Sequence, residues 1–179
     1  NVLKNTTGYN LTSLMIGSEG TLGIITKIVF KLIPLPTKDV TMLVPFTSTE
    51  KACESVSAVF RAGITPSALA FIERDATIWT LKYTDIDLQI EDEIQAHLLV
   101  EVDGNDMEVL NKDCERIAKV MELFECGEIL LADSESQKNQ IWKLRRAIAE
   151  SVKSNSIYKE EDTVVPRAEL AKLLKGLFI

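Results

Sequence analysis

Between residues 39 and 132 the chain spells one pattern twice: an apolar run of strand length, an apolar stripe at helical spacing, then another short apolar run. No other feature limits the fold so tightly. "DVTMLVPF" (39–46) opens the first cycle with residues that favour a pleated, buried surface. Thr47-Ser48-Thr49-Glu50 predicts a capping box, Thr47 accepting from the N3 amide while Glu50 reaches back. Ala52, Cys53, Val56, Val59 and Phe60 follow at helical spacing, and Gly63 ends that helix in the left-handed region. "ALAFIE" (68–73) is the second strand, and Asp75 caps a short helix through Trp79 and Leu81. The second cycle runs through "AHLLVEV" (96–102), the "DGND" turn (103–106), a stripe of Met107, Leu110, Cys114, Ile117 and Met121, and "EILLA" (128–132). The order predicts an α+β, ferredoxin-like split βαβ domain: an antiparallel sheet with helices on one face.

The flanks are less repetitive. "TKIVFKLIPLP" (26–36) alternates through Ile28 and Phe30 and predicts a strand stopped by Pro34 and Pro36. Pro34–Asp39 is the expected domain boundary. After the second cycle come a long helix over about 134–153, a polar joint, a strand at "EDTVV" (161–165) and a helix from Pro166.

Charge and thiols narrow the function classes. A net charge of -7 argues against a nucleic-acid partner or an anionic membrane surface, which are held through excess Lys and Arg. No run approaches the roughly 18 apolar residues that span a bilayer. Cys53, Cys114 and Cys126 are odd in number without C-x-x-C spacing, so they read as core thiols of a reducing, cytoplasmic protein. His97, the single histidine, sits inside an apolar strand and reads as a satisfied structural residue. Asp85, Asp87, Glu91, Asp92 and Glu93 read as a solvated connector, without the glycine-bearing pattern of a calcium loop. No Ser-His-Asp or Cys-His set can be assembled, and no metal site is expected. The chain starts without Met and ends just inside an apolar turn at "KGLFI", and reads as a piece of a longer polypeptide.

"GSEGTLGIIT" (17–26) holds three of the eight glycines. It is neither the dinucleotide fingerprint nor a Walker loop, because its glycines lead into β-branched residues and no helix follows to receive a phosphate. Spacing alone gives a turn before a strand. Its surroundings give more. "KNTTGYNLTSLMIGSEGTLGIITKIVFKLIPLP" (4–36) resembles, almost without a gap, the second flavin-binding segment of the FAD-linked oxidases of the vanillyl-alcohol oxidase type. The branch it most resembles contains the glycolate oxidase flavoprotein subunit, the D-lactate dehydrogenases and D-2-hydroxyglutarate dehydrogenase. The resemblance implies FAD as cofactor. It places Thr7, Gly8 and Tyr9 in one flavin contact patch and Gly17, Glu19, Gly20, Gly23 and Ile24 in another, with Lys4 and Asn5 preceding the turn. Main-chain N–H groups can grip a flat cofactor where no Cβ intervenes.

The same resemblance bears on "IWKLRRAIAESV" (141–152). By composition Arg145 and Arg146 are a solvated helix face and Trp142 is core. In the family, W-x-x-R carries the arginine that holds the substrate's carboxylate, so the resemblance implies Arg145 as clamp, with Trp142 packed behind it. Where some relatives carry a hydroxyl residue one turn later, this chain has Ala149. "YKEEDTVVPRAELAKLLKG" (158–176) resembles the segment returning the chain to the flavin domain. There Lys159 matches a substrate-approaching lysine, and Asp162 and Arg167 orient the junction.

The resemblance therefore implies three parts. Residues 1–36 end a FAD-binding domain, 37–165 form the ferredoxin-like substrate or cap domain, and 166–179 begin the return segment. It further implies a full-length enzyme oxidising a small D-2-hydroxy acid, of the glycolate or D-lactate type, to the 2-oxo acid by hydride transfer to flavin. A separate electron acceptor follows, and other oxidase subunits or a homo-oligomer are compatible with it. The family's P-R-G-G-G-T-type and G-H-x-G-D-G-N-x-H segments do not occur here, so no catalytic residue is assigned and this stretch alone is expected to be inactive. The rival reading is a non-catalytic ferredoxin-like binding or regulatory module.

Overall fold

The computed structural model of the protein describes residues 6–177. The chain divides into one unit ending at Leu35 and another beginning at Pro36. Lys4 and Asn5 lie outside the described residues.

In the first unit, Asn10 caps a single helical turn, α1 (Leu11–Met15), its side chain accepting from the Ser13 amide at 3.0 Å. Beyond it the chain runs through the glycine loop, and residues 23–35 carry no ladder. The strand expected at 26–36 is absent. Its alternation is real, but a strand exists only through pairing, and no described segment pairs with it.

The second unit is built on β1 (Lys38–Phe46), β2 (Ala68–Glu73), β3 (Ala96–Gly104) and β4 (Leu130–Leu131), all antiparallel, in the order β2-β3-β1-β4. This is the split βαβ order. β1 and β3 pair over their whole length, from Lys38↔Gly104 to Phe46↔Ala96. β2 continues the ladder from Ala68↔Glu101, and β4 touches β1 only at Met42↔Leu131 and Leu43↔Leu130.

Helices α2 (Thr49–Arg61) and α4 (Met107–Glu122) cover one face. There Met42, Val44, Leu98 and Val100 meet Val56, Val59, Leu110, Ile117 and Met121 in the larger core. Full burial of each such side chain contributes about 1.5–3 kcal/mol. The opposite face is also covered. Leu43, Ile72 and Leu99 pack against Ile141 and Leu144 of α5 (Glu135–Asn155), with Leu81 of α3 (Arg74–Tyr83) beside them. A buried hydroxyl pair, Thr80 Oγ1 and Ser151 Oγ at 2.8 Å, ties α3 to α5. A 3-10 turn (Arg167–Glu169) leads into α6 (Leu170–Leu177), which packs beside α2. No described helix is long and apolar enough to cross a membrane.

Several expectations are corrected. Helices lie on both faces rather than one. "EILLA" yields only the two residues of β4, and 161–165 is unpaired. Met107, the first residue of α4 and the head of its stripe, is exposed. Glu73, not Asp75, is the N-cap of α3, without a side-chain bond. The α2 cap is Ser48, whose Oγ accepts from the Lys51 amide at 3.3 Å; Thr47 is one residue too early. Ser48→Ala is accordingly expected to cost about 1 kcal/mol in a urea titration, and Thr47→Ala less than about 0.5 kcal/mol. The reverse ranking would return the cap to Thr47.

Candidate functional site

The first unit shows why its glycines are where they are. Gly8, Gly17 and Gly20 have φ of 84°, 80° and 78°, a region costly for side chains, and Glu19 between them is itself left-handed at 49°. Among the described residues, a Cβ placed on any of these three glycines would meet nothing within 4 Å, and all three are exposed. Gly23 differs: a Cβ there would stand 3.0 Å from Met15 Cε, so packing against α1 explains it. Thr7, Gly8 and Tyr9 precede α1 and the Gly17–Ile24 patch follows it, so one helical turn separates the two candidate patches. Tyr9 and Ile24 are 97% and 90% exposed. An exposed apolar side chain thus stands at the edge of each patch.

In the second unit the candidates lie on and after α5. Lys138, Trp142, Arg145 and Ala149 recur at spacings of four, three and four, and so share one stripe. The first two are stitched to the sheet. Lys138 Nζ lies 2.9 Å from Asp39 Oδ2 on β1 and 2.7 Å from Glu135 Oε1; these carboxylates push its pKa up to about 12, Glu135 first. Trp142 Nε1 donates to Glu101 Oε2 on β3 at 2.7 Å. Trp142 is thus half-buried with a committed indole, rather than simple core behind Arg145.

Arg145 is different. It is exposed and has no hydrogen bond or ion pair among the described residues, and the same holds for Arg146. Every lysine of α5 is paired: Lys138 as above, Lys143 with Asp85, and Lys153 with Glu150 at 3.4 Å. Lys159 follows the helix end, exposed and paired with Glu161, and no contact joins it to Arg145. Arg167 lays its guanidinium 3.9 Å over the Phe60 ring of α2, and Asp162 is exposed.

The remaining titratable groups lie elsewhere. The acidic connector is organised by Arg74, which donates to the Glu91 and Ile94 carbonyls at 2.8 and 2.7 Å and approaches Asp92 at 3.3 Å. Among the described residues no cluster could hold a metal ion. His97 is buried as expected, yet among the described residues its Nδ1 has no hydrogen-bond partner, where a satisfied imidazole was expected. Burial first, and Arg74 second, bring its pKa down to about 4, which keeps the imidazole neutral near pH 7. It lines a cavity of about 570 Å³ with Leu43, Ile94 and Leu130, which neither Arg145 nor Lys159 borders. Burial raises the Cys53 and Cys114 thiols to about 11, so they are inert core groups.

Glu101 escaped the sequence reading. A lone acid within the apolar run of "AHLLVEV" was the available signal.

Residues 35–177 match the family described as FAD linked oxidases, C-terminal domain. The chain is 34% identical over 180 residues to a D-lactate dehydrogenase of Anaerostipes hadrus, covering 97% of this chain and 38% of that protein. It is 32% identical over 177 residues to glycolate oxidase subunit GlcD of Bacillus subtilis, covering 97% and 37%. Among solved structures, an alkyldihydroxyacetonephosphate synthase superposes with a TM-score of 0.59 at 17% identity, over 82% of this chain and 31% of that one. That likeness speaks to the fold alone. The chain thus spans under two-fifths of the length of these relatives.

Proposed function

The chain belongs to the FAD linked oxidases through their C-terminal domain, and from that premise we propose that it is the cap portion of an enzyme oxidising a D-2-hydroxy acid, of the glycolate or D-lactate kind, to the 2-oxo acid. Arg145 carries the reading. Like Arg146 it is an exposed, unpaired guanidinium on a helix whose lysines are all neutralised, but of the two only Arg145 shares the stripe that Lys138 and Trp142 anchor to the sheet. A cation kept free of partners inside an acidic chain is suited to an incoming anion. Its planar fork can give two parallel hydrogen bonds to a carboxylate and so fix the neighbouring carbon.

Thr7, Gly8, Tyr9, Gly17, Glu19, Gly20 and Ile24 would hold the FAD, the left-handed glycines through uncovered main chain and Glu19 through a hydroxyl of the cofactor, with Gly23 serving the loop by letting it pack on Met15. When bound, that flavin would supply the two-electron acceptor, with a separate partner re-oxidising it. Lys159 would have to exchange Glu161 for the substrate to take part.

In the complete protein, Arg145→Ala is expected to lower kcat/KM for D-lactate or glycolate by about 10- to 200-fold, the loss of a charge-assisted pair worth about 1.5–3 kcal/mol. Arg146→Ala should stay within about twofold. An unchanged kcat/KM in Arg145→Ala would remove that residue from the site.

A further inference from the structure

Glu101 faces Thr41 and Ala68 across the central ladders. Its Oε2 accepts from Trp142 Nε1 at 2.7 Å and from Thr41 Oγ1 at 3.0 Å. Ser67 Oγ stands 3.1 Å from its carbonyl oxygen and 3.4 Å from Oε1. All these partners are neutral donors. A half-buried carboxylate that gains no ion pair among the described residues is an expensive way to fill a sheet position, since an apolar residue of similar volume would avoid its desolvation. What it offers instead is a directional bond about twice as strong as one between neutral groups.

The direction of that bond matters for α5. Lys138–Asp39 pins the stripe to β1, and one turn later Trp142–Glu101 pins it to β3. Two points on one stripe fix both the roll of the helix and its position along its axis. Arg145 is the next residue of the stripe, three positions beyond Trp142, and a fork that must meet a carboxylate in plane tolerates little rotation.

We infer that Glu101 is a positioning residue for the substrate-carboxylate clamp, setting the roll of α5 through the Trp142 indole so that Arg145 is presented to the substrate. This rests on the assignment of Arg145 made above. A purely structural Glu101 would hold the sheet and helix together without any special link to Arg145.

A mutant cycle in the complete protein, with D-lactate or glycolate as substrate, separates these. Glu101→Leu removes the acceptor, and Trp142→Phe removes the donor while keeping most of the ring volume. Each is expected to raise KM about tenfold with kcat within about twofold. Glu101→Gln keeps an acceptor and should restore KM to within about twofold of the parent. In an Arg145→Ala background, adding Glu101→Leu or Trp142→Phe should change KM by less than about twofold, because the residue they aim is gone. Equal tenfold effects in both backgrounds would make Glu101 merely structural and overturn the inference. So would wild-type KM values in Glu101→Leu and Trp142→Phe while Arg145→Ala is impaired, with the clamp left standing. If Arg145→Ala itself keeps a normal KM, the clamp fails and the positioning role fails with it. Should Glu101→Leu not fold, Trp142→Phe tests the same bond alone.

Discussion

Phe46→Ala is expected to lower the unfolding free energy by about 3–5 kcal/mol, read as a fall in the urea midpoint at unchanged slope. Phe46 closes β1, is fully buried, and is the bulkiest of the wholly enclosed side chains. Its register partner is Ala96, too small to collapse into the space vacated, so a cavity adds to the lost transfer energy. The main chain there is committed as well: Gln95 N donates to the Phe46 carbonyl at 2.8 Å, and Phe46 bridges Cys126. A loss of this size is a large part of the roughly 5–15 kcal/mol by which a domain is stable. Leu123→Ala, at an 80% exposed position ending α4, should stay within about 0.5 kcal/mol. A Phe46→Ala loss as small as that of Leu123→Ala would show that the core around β1 is looser than its burial implies.

The second large effect is on acid stability. His97 is neutral in the folded chain, its pKa brought down from 6.5 to about 4 by burial and by Arg74. Unfolding releases it to its ordinary value, so between these pH values the unfolded chain binds the extra proton. Its contribution is fully present above pH 6.5 and is lost as pH falls toward 4, amounting to about 3 kcal/mol at the acid end. Glu73, whose carboxyl burial raises, works in the opposite sense, so the variant comparison isolates the imidazole. Urea midpoints of the parent should drop between pH 7 and pH 4.5 more steeply than those of His97→Gln. Parallel slopes would mean that His97 gains its proton as easily folded as unfolded.

Much of the sheet could be read beforehand, because its logic is local. Ala52, Val56 and Val59 repeat at the helical period and do lie inward, as do Leu110, Cys114, Ile117 and Met121. The second helical layer is also legible in the chain. Met42-Leu43-Val44 and Leu98-Leu99-Val100 are consecutive apolar triplets, and a strand watered on one side would have alternated. The "TKIVFKLIPLP" stretch failed for the converse reason: alternation states a preference for pairing, and the partner is decided elsewhere. At the candidate site, W-x-x-R could be recognised, but not which cations would be neutralised. Lys138 meets Asp39 and Trp142 meets Glu101 only after distant segments have been brought together by the sheet. Ser48 shows the same limit on a smaller scale, since Thr47 and Ser48 are chemically near-equal caps and only the helix start decides between them.

The pairing of β1 with β3 sets a timetable. Lys38 must find Gly104, and Phe46 must find Ala96, with α2, β2 and α3 strung between them. The entropy of closing so long a loop has to be met before the middle ladder returns any enthalpy, so such a chain folds more slowly than a helical bundle held by local contacts. Substitutions at Leu98 or Val100 should therefore act mostly on the rate of assembly. Those on the outer side of α5, added once the ladder stands, should act mostly on the rate of disassembly.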